Sequence, residues 1–155
     1  MTKQIPLTRG QFAIVDDEDF EWMSKFKWHC QPKSNGRLYA RTGTKKVYMH
    51  RVLLNASPDV YVDHIDGNGL NNTRANLRLC TREENQHNTP IRSDSTTGYK
   101  GVSFDKRRNR FSVEINKDKK RIRIGNFENV LDAARAYNEA AIKYHGQFAR
   151  LNEIP

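Results

Sequence analysis

Val62-Asp63-His64-Ile65-Asp66-Gly67-Asn68, then Asn76-Leu77, then Glu84-Asn85-Gln86-His87-Asn88: these residues decide how the chain is read. Val60 to Asp63 is rich in strand formers, and the Asp66-Gly67-Asn68-Gly69 run after it is a turn signal. Glycine and asparagine tolerate left-handed backbone there, and aspartate bonds to nearby backbone N–H groups. Leu77 to Cys80 reads as a second short strand. Thr81 and Glu84 have the Thr-x-x-Glu spacing of a capping box, in which each side chain satisfies the other's backbone N–H and a helix begins. That helix carries Asn85 and Asn88 and is stopped by Pro90, which has no N–H to donate. The pattern is a ββα unit running from about Val60 to Asn88.

The polar residues on this unit suit phosphodiester hydrolysis, which needs an activated water and positive charge where the oxyanion and leaving oxygen develop. His64, at a strand end, is the candidate general base. Asp63 is a hard oxygen ligand, and Asn85 offers an amide oxygen of the same hardness. Together they suit one divalent ion, Mg2+ or Mn2+, with coordination left open for phosphate. Adjacent side chains of an ideal strand point to opposite faces, so Asp63 and His64 share a site only if the chain bends, as the following turn permits. Asn76 can hold the loop and orient the His64 imidazole, and reads equally as a simple loop cap. His87 and Asn88 are alternatives to Asn85 as the second ligand. The Asp66 turn lacks the alternating ligands and terminal glutamate of a calcium loop. His50 reads equally as a phosphate-facing or a structural residue, and His29, beside Trp28, reads as structural.

Upstream, Gln11 to Val15 reads as a strand. Asp16-Asp17-Glu18-Asp19 suits the start of a helix, where the dipole favours acid. Phe20, Met23 and Phe26 continue at helical spacing, so that helix is expected to end near Trp28. Leu38 to Arg41 and Lys45 to Met49 are expected as two strands around a turn at Gly43, and His50 to Leu54 as a short helix. A net charge of +9 predicts attraction to polyanions, nucleic acid foremost. No stretch approaches the ~20 apolar residues that cross a bilayer, and the N-terminus does not read as a signal peptide. A cytoplasmic location and no membrane partner are therefore expected. Cys30 and Cys80 lack Cys-x-x-Cys spacing, so buried free thiols and no structural zinc are expected.

Thr89 to Gly98 is polar, turn-rich and without periodicity, and reads as a linker. Beyond it, three strands are expected near Tyr99 to Phe104, Arg110 to Asn116 and Lys120 to Gly125, then a helix from Val130 to Tyr144 capped by Asn129. The helix's Val130, Ala133, Ala134, Tyr137, Ala140, Ala141 and Tyr144 form one apolar stripe. In the second strand, Phe111, Val113 and Ile115 face one side, while Arg110, Ser112, Glu114 and Asn116 face the other. In the third, Ile122 and Ile124 alternate with Arg121 and Arg123. A twisted polar sheet face of this kind can enter a major groove, where Arg donates to guanine and Glu accepts from cytosine. Lys106-Arg107-Arg108 and Lys119-Lys120 crowd the hairpin turns, which suits phosphate contact.

The run Met49-His50-Arg51, Val62 to Asn68, Asn71-Asn72, Asn76-Leu77-Arg78 and Asn85 to Asn88 resembles the HNH homing endonucleases of phage introns. The resemblance implies a ββα-metal (His-Me finger) unit with His64 as general base, Asp63 and Asn85 as metal ligands and Asn76 as the structural middle residue. It also implies a 5′-phosphate and a 3′-hydroxyl as products. Gly98-Tyr99-Lys100-Gly101-Val102, Phe111 to Ile115, Ile124 to Phe127, the Ala133 to Ala141 pattern and Leu151-Asn152 resemble the Apetala/ethylene-response-factor type DNA-binding domain. That likeness places Lys100, Ser103, Glu114, Asn116, Arg121 and Arg123 at base- or backbone-contacting positions, and Arg110 lies on the same face. Ser103 and Arg123 depart from the plant pattern, so the plant GC-rich target is not carried over.

The resulting expectation is an α+β protein with an N-terminal region over 1–58 that packs on or extends the nuclease. A nuclease motif follows over 59–89, a linker over 90–97, and a three-stranded antiparallel sheet on one helix over 98–155. The expected partner is double-stranded DNA, bound by a monomer that nicks it. The alternative is a non-catalytic DNA-binding regulator.

Overall fold

Burial alternates over the apolar run of β2 (Phe12–Asp16), which buries Ala13 and Val15 and pairs antiparallel with β1 (Thr2–Pro6), Ile5 opposite Ala13. Sequence reading anticipated β2 but not β1. Thr-Lys-Gln-Ile-Pro buries only Ile5, so it becomes a strand through its partner and not through its own composition. The computed structural model describes residues 1–43 and 46–155. The chain is an α+β protein of small antiparallel sheets and short helices. It divides into two compact units, Met1–Asn85 and Gln86–Pro155.

In the first unit α1 (Asp17–Met23) begins on three acids, as expected, but stops well short of Trp28. Lys25 and Phe26 donate to the carbonyls of Trp22 and Met23, tightening the last turn, and the Trp28 indole donates to Met23 O at 2.9 Å. Trp28 then opens β3 (Trp28–Pro32), the antiparallel partner of β4 (Leu38–Thr42). The expected partner strand over Lys45 to Met49 is corrected: among the described residues Tyr48 makes a single bridge to Arg41, and α2 (Met49–Leu53) starts next. Lys45 itself lies outside the described residues. β5 (Tyr61–His64) pairs antiparallel with β6 (Leu77–Cys80), with Asp63 opposite Arg78 and His64 opposite Leu77. α3 (Arg82–His87) follows on the predicted capping box: Thr81 N donates to Glu84 Oε2 at 2.7 Å, and Glu84 N to Thr81 Oγ1 at 3.2 Å.

One core joins these pieces. Ile5, Val15, Met23, Trp28, Met49, Val62 and Leu77 belong to a single buried cluster, so the N-terminal hairpins and the β5–β6 pair share an interior. The β5–β6 loop is also stitched to β2. Ile14 N donates to Leu70 O at 2.8 Å, and Asn72 N returns a bond to Ile14 O at 2.7 Å. Arg74 closes the stitch, its guanidinium donating to both Asp19 oxygens at 2.7 Å.

In the second unit β7 (Val102–Asp105), β8 (Arg110–Lys117) and β9 (Lys120–Phe127) form an antiparallel sheet in that order, with a register shift between Val113 and Glu114. α4 (Val130–His145) packs against it, burying Ala133, Ala134, Tyr137, Ala140 and Ala141. Asn129 caps the helix, accepting from Leu131 N at 2.7 Å. Alanines bring the helix close, and Gly101 (φ +73°) sits under Tyr137 where a Cβ would run into the ring.

Candidate active site and nucleic-acid interface

β5 ends at His64, and the turn beyond it, closed by Gly67 N donating to His64 O at 2.8 Å, bends the chain. The bend resolves the strand-alternation problem: Asp63 and His64, 4% and 5% exposed, both line one cleft of about 270 Å³. Asn85 lines the same cleft from α3, so the three residues assigned to base and ligand roles are brought together. Of the alternatives to Asn85, His87 instead stacks on His145, with ring centroids 3.6 Å apart. Arg78 holds the Asp63 carboxylate from the facing strand, its Nε and Nη2 donating to Oδ2 at 2.9 and 2.6 Å. Lys33 and Arg37 add positive charge to the cleft wall.

Asn76 and Asn72 divide the work that the sequence reading gave to Asn76 alone. Asn76 Oδ1 accepts from Asp66 N at 3.0 Å, and its Nδ2 donates to Asp66 Oδ1 and Asn71 O at 2.9 and 2.8 Å. It is the loop clamp. The amide that meets the imidazole belongs to Asn72, whose Oδ1 lies 3.2 Å from His64 Nε2. An amide oxygen there selects the tautomer with the proton on Nε2 and the lone pair on Nδ1. Asn72 is fully buried and held by its backbone bond to β2. The only sequence signal for it was the Asn71-Asn72 doublet.

Burial pushes the His64 imidazole below its ordinary pKa, more than the Asn72 hydrogen bond and the Asp66 and Asp63 charges raise it. His64 is therefore neutral at pH 7, the form a proton acceptor needs. Burial of Asp66 would raise its carboxyl, but hydrogen bonds from Asn71, Asn68 N and Asn76 outweigh that and hold it ionised. His50, also on the cleft wall, is pushed by burial, and by the charges of His64, Arg51 and Lys33, down to about 3.

The donor set fits a hard divalent cation: a carboxylate and an amide oxygen line one cleft beside a neutral histidine. Among the described residues no three His, Cys, Asp or Glu side chains converge, so a cation here would be held by Asp63 and Asn85 and by non-protein oxygens. Cys30 and Cys80 are both buried free thiols.

In the second unit Lys100, Ser103, Glu114, Asn116 and Arg121 line one groove on the sheet. Glu114 and Arg121 pair across it at 3.5 Å. Arg110 lies at the far end of β8, paired with Glu128 at 2.8 Å, and Arg123 donates to Asn126 Oδ1 at 2.9 Å. The Lys100 ammonium, on the same groove, donates to the carbonyls of His87 and Thr89 at 2.6 and 2.7 Å. It anchors the linker as this structure stands.

The HNH endonuclease family profile matches residues 47–87, and the AP2 domain profile matches residues 97–147. Over 152 residues the chain is 33% identical to an uncharacterized HNH endonuclease of Acanthamoeba polyphaga mimivirus, a match covering 94% of this chain and 77% of that protein. The chain belongs to the HNH endonuclease family. A further relative, Protein 3.8 of Escherichia phage T7, is 36% identical over 92 residues, 58% of this chain and 74% of its own length. No solved structure matches. This HNH endonuclease is thus an enzyme fused to an AP2-type DNA-binding domain. The HNH match spans β5, β6 and the cleft residues His64, Asp63 and Asn85.

Proposed function

We propose that the protein is a divalent-metal-dependent, site-preferring endonuclease of the homing type that nicks duplex DNA as a monomer, with a ββα-metal unit as its active centre. The observation that carries this reading is the convergence of His64, Asp63 and Asn85 on one basic cleft, with the His64 tautomer set by Asn72. His64 Nδ1 takes a proton from water, the water oxygen bonds to phosphorus, and the P–O3′ bond breaks. The O3′ leaving group takes a proton from solvent water, leaving a 3′-hydroxyl and a 5′-phosphate. Asp63 and Asn85 would hold a divalent cation, which would supply positive charge for the oxyanion and leaving oxygen. Asn76 keeps the β5–β6 loop closed around Asp66. Ser103, Glu114, Asn116 and Arg121 supply base and backbone contacts from the sheet groove, with Arg110 and Arg123 beside it. One such centre makes one cut.

The test is a supercoiled-plasmid assay with Mg2+, Mn2+ or EDTA, comparing wild type with His64→Ala. Open circles form with metal and not with EDTA, and the variant loses about 10²–10⁴-fold in rate, the usual contribution of a general base, while still binding DNA. Joint loss of cleavage and binding would count against the base assignment. A lack of cleavage by wild type, on DNA it demonstrably binds, would leave a DNA-binding regulator as the better reading.

A further inference from the structure

His50 is the second residue of α2 and sits on the wall of the cleft that holds His64 and Asp63. Its ring is caged on three sides. Tyr48 stacks parallel to it at 5.4 Å and 11°, Tyr39 meets it edge-on at 5.9 Å, and His64 stands perpendicular to it at 4.9 Å and 86°. A phenyl ring would satisfy every one of these packing interactions, so the cage selects an aromatic shape and gives no reason for ring nitrogens. Yet the residue is histidine, only 9% exposed, with Nδ1 buried and without a hydrogen-bond partner among the described residues. Leaving a buried polar group unpaired opposes folding. A polar ring kept at that cost, in a cleft lined by Lys33 and Arg37 and beside the candidate base, is accounted for by a partner that arrives with the substrate.

We infer that His50 is a second functional imidazole of this site, donating a ring N–H to a phosphate oxygen of the DNA strand held against His64. The inference rests on the reading of His64 as the base. It also explains why the position is not Lys or Arg. His64 becomes a cation when it takes the water proton, and a neutral donor 4.9 Å away between ring centres adds no repulsion to that step. Burial keeps His50 neutral, so one ring nitrogen always carries a hydrogen.

The experiment compares plasmid nicking at saturating protein for wild type, His64→Ala, His50→Phe and His50→Gln, with melting temperatures for each. His50→Phe keeps the aromatic packing and is expected to fold, bind DNA and nick about 10–100-fold more slowly, the loss of one hydrogen bond to a charged group. His50→Gln retains an N–H donor and recovers part of the rate. In a second arm, wild-type protein labelled with 15N-histidine is titrated with short duplex DNA in EDTA. The His50 ring resonances shift, and its N–H exchanges slowly with water. Nicking by His50→Phe within twofold of wild type, or ring resonances that stay put at saturating duplex, overturns the inference. If His50→Phe does not fold, the second arm decides alone. Full activity in His64→Ala overturns the base assignment and this inference with it, whereas a dead His64→Ala beside a fully active His50→Phe overturns this inference only.

Discussion

Asn72 shows how one buried amide can set the chemistry of its neighbour. It is fully buried, its backbone is bound to β2, and its side chain faces His64 Nε2. Sequence reading found the histidine but gave its orientation to Asn76, because both asparagines lie within one loop and only folding shows which reaches the ring. Asp19 is a second such case. It reads as one of several helix-start acids, yet it is buried and takes the Arg74 guanidinium from the β5–β6 loop. That hydrogen-bonded pairing outweighs burial and holds its carboxyl below the ordinary value of 3.8. A carboxyl depressed in the folded state contributes stability that is full above its unfolded pKa and lost as pH falls through the folded one. Asp19→Asn is therefore expected to destabilise the protein by about 1–3 kcal/mol at pH 7. Urea titrations should show the gap between wild type and variant closing as pH falls below 3.8. A gap that is unchanged at low pH would mean the pair contributes nothing through its charge.

Among the elements, β4 reaches the candidate cleft through Tyr39, whose ring meets both His50 and His64 at 5.9 and 5.8 Å. Gly69, in the β5–β6 loop, lies so close that a Cβ would collide with Leu38 O and the Tyr39 ring. Its φ needs no glycine, so the requirement is space alone. Gly69→Ala is expected to cost about 1–3 kcal/mol through overpacking and, by displacing Tyr39, to lower nicking beyond the loss of folded protein. Thermal melts alongside plasmid assays check this, and an unaffected rate per folded molecule would separate Tyr39 from catalysis. Elements with long, regular patterns were read well: β8, β9 and α4 differ from expectation by a residue or two at their ends. The N-terminal half was read less well. Phe20, Met23 and Phe26 have helical spacing, but the Trp28 indole takes the last helical carbonyl and the Trp28 backbone pairs with β4. Long-range pairing overrode local periodicity, as it did for β1.

Across the chain, two separate cores, one built on Met23, Met49 and Val15 and one on Val113, Ala133 and Ala141, support two compact units. The basic excess of +9 suits a protein with a DNA-binding domain, since Lys and Arg neutralise backbone phosphates. Removing residues 98–155 is expected to weaken duplex binding and flatten its salt dependence, by about 0.9 in the log–log slope for each phosphate no longer neutralised. Fluorescence titrations at several salt concentrations measure this. Equal affinity and slope in the truncated protein would show that the AP2-type domain does not read DNA.

The ordered run from Asp63 to Asn88 carries the residues of the proposed chemistry, because residue type and spacing along short strands and a capped helix already limit which acid, base and ligand roles are available. The same holds for the reader, whose period-2 strands and apolar helix stripe follow from side-chain direction within each element. Partners that come from distant segments were not legible. Asn72 against His64, Arg74 on Asp19, Arg78 on Asp63, Tyr39 and His50 around the His64 ring, and Lys100 on the carbonyls of His87 and Thr89 all depend on which surfaces the cores press together. Local sequence specifies the geometry of each element. The environment that orients His64 and lowers its proton affinity is a property of packed, water-excluded surroundings, and those exist only once the segments meet.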